Sequence, residues 1–171
     1  RLEGKAEEAV MTYLVSTLLI GLGATAFVDL WALARRRLFG LPLPNYAQVG
    51  RWFAHMPKGR FRHVAIAAAQ PVRGEAPLGW TVHYLTGIAF AAILTAGWGP
   101  EWLRQPTPGP ALIVGIGSVA APFLLMQPGM GAGLFARRSP RPNAARLQSF
   151  LTHTMFGLGL YAAGWLVHYT R

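Results

Sequence analysis

Three ionisable residues interrupt otherwise apolar stretches of the sequence: Asp29, His83 and His153. Each lies five or six residues from one end of its apolar run. If the apolar runs are membrane-spanning helices, a rise of 1.5 Å per residue places each of the three about 8 Å inside the same membrane surface. Gln127 is expected near that depth in a further run. Ionisable groups within a membrane are costly to bury and mark functional sites by default, so these four residues are the candidate ligand- or proton-binding set.

Several kinds of chemistry fit such a set. Asp29 and a histidine can carry protons or a substrate, because imidazole titrates near neutral pH. His83 and His153 on separate helices can ligate haem iron axially, and with Asp29 they make a two-histidine, one-carboxylate metal set. A structural hydrogen-bond network that fixes helix register is the plainer interpretation. The plainest is an Asp29 whose carboxylate reaches the interface and has no role.

Catalytic motifs are absent from the sequence. It contains no nucleophile elbow, phosphate loop, Ser-Lys dyad or HExxH, and the glycine-rich segment 129–133 follows a helix rather than a strand. The sequence has no cysteine, which excludes disulfides and thiolate metal sites. We therefore do not expect an enzyme.

Four apolar runs must position the candidate residues. Hydrophobic residues make up 53% of the chain and charged residues 13%, well below the roughly 25% charged residues of a soluble domain. A run of about 20 apolar residues spans a bilayer as a helix. The pattern predicts a single all-α domain over residues 11–171, a polytopic four-helix transmembrane bundle with helices at about 10–34, 77–98, 110–127 and 147–168.

Basic residues concentrate in two of the connecting loops. Eight lie between Arg35 and Arg73 and four between Arg137 and Arg146, of sixteen in all. The positive-inside rule predicts that both loops are cytoplasmic and both termini outside. Because the basic residues lie in loops between apolar runs, the net charge of +10 does not indicate that the protein binds nucleic acid. Anionic lipid headgroups are the expected partners of Arg35, Arg36, Arg37, Arg137 and Arg138.

The first basic loop contains an amphipathic segment at 45–56. Tyr46, Val49, Trp52, Phe53 and Met56 share one helical face, and Asn45 can cap its start. The segment is expected to form an interfacial helix in the headgroup layer. The alternative is a helix folded back onto the bundle.

Small residues spaced four apart recur in every apolar run, as in Gly21 and Thr25 or Gly117 and Ala121. Such pairs favour close helix packing within the bundle, or equally a homo-oligomer face. His83 precedes Gly87 as His153 precedes Gly157. This echo fits a two-fold parallel repeat of a two-helix unit, or chance in a chain rich in glycine.

Residues 1–10 differ in composition from the rest, since they hold three of the six acidic residues. We expect them to be a remnant foreign to the native chain, with Met11 as the native start; a genuine helical turn is the alternative.

Several segments together resemble one uncharacterised bacterial family of small integral membrane proteins, catalogued as domain of unknown function 2938. The resemblance covers roughly Met11 to Val167 and depends on four segments: 23–33, 49–63, 67–75 and 122–131. It implies a bacterial inner-membrane location. It implies no activity, cofactor or site residue.

The leading functional hypothesis is transport or binding of a small ligand or ion at a polar site in the cytoplasmic half of the bundle. A haem- or metal-binding membrane redox protein is the second hypothesis, and a structural partner subunit of a membrane complex is the third.

Overall fold

The computed structural model describes residues 2–170. The chain is all-α, and no strand occurs in this range. Six α-helices follow one another: α1 Leu2–Phe39, α2 Tyr46–His55, α3 Glu75–Arg104, α4 Pro108–Gly117, α5 Gln127–Met130 and α6 Pro142–Tyr169. Short 3₁₀ helices occur in the loop between α2 and α3 and in the loop between α5 and α6.

Four helical segments are long and apolar enough to cross a membrane: Glu3–Phe39, Glu75–Arg104, Pro108–Met130 and Pro142–Tyr169. The predicted four-helix bundle is therefore confirmed. Each segment is longer than the sequence predicted, because helix continues beyond the apolar run into polar flanks. Large apolar side chains such as Leu30, Ile113 and Leu166 are 65%, 62% and 67% exposed, as expected for surfaces that face lipid rather than water.

Glycines set the order of the helices by allowing close approach. α1 packs along both α3 and α6, and α6 packs along α4. A Cβ at Gly21 would collide with the backbone of Ile88, and one at Gly87 would collide with Thr25. Gly159 lies against Ala24. Helices in lipid associate through such contacts, because burial of apolar surface from water no longer drives them together.

In the third span, Gly117 does not lie at a helix contact of the bundle, and its alternative place on a homo-oligomer face stays a prediction. A Cβ at Gly117 would meet nothing within 4 Å, whereas one at Gly115 would collide with Gly157 on α6. The contact face is displaced because the helix breaks here: α4 ends at Gly117, and residues 122–126 form a wide π-turn before α5. Pro122 and Pro128 lack the amide N–H that would bond the carbonyl four residues earlier, which accounts for the irregular helix geometry before α5.

The first basic loop folds back onto the bundle. α2 packs against α3 with Gly50 and Gly79 in backbone contact. Asn45 caps α2 by accepting a hydrogen bond from the Gln48 amide. The helix predicted for this loop is thus formed, and its contacts match the fold-back alternative.

Candidate functional site

The Asp29 carboxylate is the centre of a polar cluster where α1, α2 and α3 meet. His83 Nε2 lies 3.0 Å from Oδ1, and Tyr84 Oη donates to Oδ2 at 3.0 Å. Tyr46 Oη is 3.4 Å from Oδ1 and 3.0 Å from His83 Nε2. The Asp29 and His83 side chains are 19% and 17% exposed. A carboxylate removed from water needs such donors to remain ionised.

Aromatic rings enclose this cluster on the loop side. The Tyr46 ring stacks on His83 with centroids 4.2 Å apart and packs against Trp80 at 4.6 Å. Burial, and next the nearby Asp29 carboxylate, raise the pKa of Tyr46 above its ordinary value, so its phenol stays protonated. Helix α2 therefore covers the carboxylate with a neutral donor.

The local sequence explains why α1 and α3 meet at this point. Thr25 donates its hydroxyl proton back to the Gly21 carbonyl, so no polar group is left unpaired at the contact. Gly87 lies against Thr25. One helical turn further along each antiparallel helix, Asp29 and His83 then face each other.

His153 lies in a second, separate pair. Its Nδ1 is 2.6 Å from Ser118 Oγ, which also lies 2.6 Å from the Gly115 carbonyl. In each half of the chain, a histidine four residues before a contact glycine meets a polar side chain on the preceding span. This relationship supports the two-fold repeat.

Gln127 is also partnered apart from Asp29. Its Nε2 donates to Ser149 Oγ at 3.3 Å, and its Oε1 is buried without a partner. Of the four candidates, the structure brings together Asp29 and His83 only. Within residues 2–170, no three His, Asp or Glu side chains are grouped to hold a metal ion, so the set of His83, His153 and Asp29 is not assembled.

Arg35 corrects the lipid-headgroup prediction in part. It is 6% exposed, donates to the side-chain oxygen Oε1 of Gln148 and lies over the Trp31 ring at 5.8 Å. Its guanidinium faces protein, because α6 covers that side of α1. Arg36, Arg37, Arg137 and Arg138 are exposed, and their binding of headgroups stays a prediction.

Sequence reasoning missed Tyr46, Tyr84 and Trp80 as parts of the site. Tyr84 follows His83 directly, so the sequence signal was its adjacency to a candidate. Trp80 precedes His83 by less than one turn. Tyr46 carried no such signal, because it is distant in sequence and is placed only by the packing of α2 on α3.

A family model described as "Protein of unknown function (DUF2938)" matches residues 18–167, which include every side chain of this cluster. The chain belongs to the DUF2938 family. The predicted resemblance is confirmed. DUF2938 carries no assigned activity in its description. No curated protein and no solved structure matches this DUF2938 chain.

Proposed function

We propose that this protein binds a small cation at Asp29 as part of a transport or ligand-binding cycle in a membrane. One observation carries the proposal: a carboxylate within a span accepts hydrogen bonds from three side chains on two other helices. Asp29 is the acidic residue furthest from the polar ends of its span. A low-dielectric site of this kind favours a compensating positive charge.

The surroundings of Asp29 suit a cation rather than an anion. The rings of Tyr46, Trp80 and Tyr84 lie beside the Asp29–His83 pair, since Trp80 packs against both tyrosines and both phenols reach the carboxylate. Aromatic faces attract ammonium-type cations by about 0.5–2 kcal/mol each.

The positive charge of the two basic loops supports an orientation in which the Asp29 site lies towards the cytoplasm. The two basic loops join spans at the same end of the bundle as α2, so the Asp29 site lies near the predicted cytoplasmic face. A bacterial inner-membrane location, with both termini outside, completes this proposal. The metal- or haem-binding, structural-subunit and homo-oligomer alternatives stay predictions.

Fluorescence titration of the detergent-purified protein with tetramethylammonium tests the function. Trp80 adjoins the site, so we expect a saturable change in emission that Asp29→Asn abolishes. Asp29→Asn is nearly isosteric and keeps a hydrogen-bond acceptor for Tyr84. If neither this probe nor a simple alkylammonium gives saturable binding while Asp29→Asn lowers stability, the cluster is a structural network instead.

A further inference from the structure

A cavity of about 320 Å³ lies in the first basic loop, between the end of α2 and residues 60–70. This loop cavity is lined by His55, Arg60, His63 and Gln70, and its other four lining residues are alanine or valine. A concave, largely apolar wall with a few convergent polar groups is the usual form of a small-ligand site. The loop cavity shares no lining residue with the Asp29 site.

Two histidines are held together at the wall of this cavity. His55 Nδ1 and His63 Nε2 are 2.8 Å apart, and the two rings stack with centroids 5.1 Å apart. His55 is 4% exposed, and His63 Nδ1 is buried without a partner. The His63 amide also donates to the Gly129 carbonyl at 2.9 Å, which fixes this loop on α5. The imidazoles are therefore placed by the fold rather than free on the surface.

The guanidinium of Arg60 is the permanent charge among the lining residues of the cavity. Arg60 makes a backbone hydrogen bond to the His55 carbonyl, but its guanidinium has no protein partner among residues 2–170. Glu75 is the only acid between Asp29 and Glu101. Both of its oxygens are used by Arg51, and one also accepts from the Val72 amide. Among the residues that the structure describes, no carboxylate lines the cavity.

We infer that the loop cavity is a binding site for a phosphate group, held by Arg60 and the His55–His63 pair. A guanidinium donates two parallel hydrogen bonds to phosphate oxygens, and imidazole adds a further donor. Gln70 supplies an amide N–H₂ on the same wall. The alanine and valine wall leaves room for a small carbon skeleton attached to the phosphate. The phosphate belongs either to a soluble phosphomonoester or to a lipid headgroup, since both present the same oxygens.

A cation is the less favourable occupant. A transition metal bound by both histidines would sit beside the Arg60 charge without any carboxylate to offset it. Two imidazole nitrogens on one metal ion also stand further apart than a direct hydrogen bond, so the pair would have to open.

Arg60 and Arg62 provide a matched pair for the test. Both are exposed and carry one positive charge in the same loop, but only Arg60 lines the cavity. Binding of inorganic phosphate and of glycerol phosphate to the full chain in detergent is measured by calorimetry. We expect Arg60→Ala to weaken affinity at least about tenfold, since charged hydrogen bonds are lost. Arg62→Ala should leave the affinity within about twofold. Arg60→Lys, which keeps the charge but not the fork geometry, should fall between.

A second arm distinguishes the source of the phosphate. Nanodiscs of phosphatidylcholine with added phosphatidylglycerol are analysed for retained lipid by native mass spectrometry. Retention of phosphatidylglycerol that Arg60→Ala abolishes and Arg62→Ala preserves, without binding of the soluble probes, assigns a headgroup. Equal losses for Arg60→Ala and Arg62→Ala, or no binding in either arm, would overturn the inference. So would stoichiometric zinc binding that His63→Ala abolishes in a protein that takes no phosphate.

Discussion

The Arg51 guanidinium donates to both carboxylate oxygens of Glu75, at 2.8 Å and 2.7 Å. The same guanidinium donates to the carbonyls of Ile66 and Ala69 at 3.1 Å and 3.0 Å. One side chain thus joins α2, the loop and the first residue of α3. The hydrogen bonds that Arg51 donates to Glu75 raise the pKa of Arg51 above its ordinary value, so the guanidinium stays charged.

Loss of this ion pair should release α2 from α3. We expect Arg51→Ala to loosen the backbone around the exposed Lys58 and Arg60, because Arg51 donates to the loop carbonyls of Ile66 and Ala69. Limited proteolysis with trypsin measures this as a several-fold faster first cleavage. Arg73→Ala is the control, since Arg73 is an exposed arginine of the same loop. Unchanged cleavage of Arg51→Ala would mean that Gly50–Gly79 packing alone holds α2.

The two phenols at Asp29 should contribute unequally. Tyr84 donates to Oδ2 at 3.0 Å, whereas Tyr46 lies 3.4 Å from Oδ1 and closer to His83. Hydrogen bonds to charged groups contribute about 1.5–3 kcal/mol and weaken with distance. In double-mutant cycles with Asp29→Asn, we expect the coupling energy of Tyr84→Phe to exceed that of Tyr46→Phe. Unfolding in mixed SDS micelles supplies the free energies, and a larger coupling for Tyr46 would contradict the geometry.

The sequence predicted the spans and a common depth for Asp29 and His83, but it did not predict which of the polar groups meet. Span positions follow from apolar run length, and depth along a helix follows from residue count. Run length and residue count placed four polar groups at one depth in the membrane, but they do not show towards which neighbouring helix each side chain points. The faces are set by Gly87 and Gly115, which fix how closely and in which rotation the helices pack. His153 therefore meets Ser118 rather than His83.

The contacts of Tyr46 and Arg35 could not be predicted from the sequence, because they depend on how the helices pack and hydrophobic periodicity carries no information on that. Tyr46 reaches Asp29 because Gly50 and Gly79 let α2 lie on α3. Arg35 sat in a run of three arginines that indicated a headgroup anchor. The structure buries it against α6, where Gln148 accepts its hydrogen bond.

Alkaline pH should destabilise the fold through Tyr46. Its pKa is raised in the folded protein, while an unfolded tyrosine ionises near about pH 10. The folded state then holds a proton that the unfolded state releases, so stability is full below about pH 10 and falls as the pH rises further. We expect Tyr46→Phe to reduce this slope by up to about 1.4 kcal/mol per pH unit. Unfolding free energies between pH 9 and about pH 11 measure it, and identical slopes in both proteins would exclude Tyr46 as the source.

Alanine substitutions at Gly115 and Gly117, two glycines of the third span, distinguish the effect of helix–helix packing from the effect of helix propensity. A Cβ at Gly115 would collide with the Gly157 backbone on α6, and the nearest atoms there are main chain, which cannot rotate away. A Cβ at Gly117 meets nothing within 4 Å. Gly115→Ala should therefore destabilise the protein by about 1–3 kcal/mol through overpacking. It should also weaken the contact between Ser118 and His153, since the two helices must separate.

Gly117→Ala should stay within about 0.5 kcal/mol of the parent, because its position is exposed. Unfolding in mixed SDS micelles compares the two variants. Equal effects would show that α4 and α6 do not pack on Gly115, and the His153–Ser118 pair would lose its structural support.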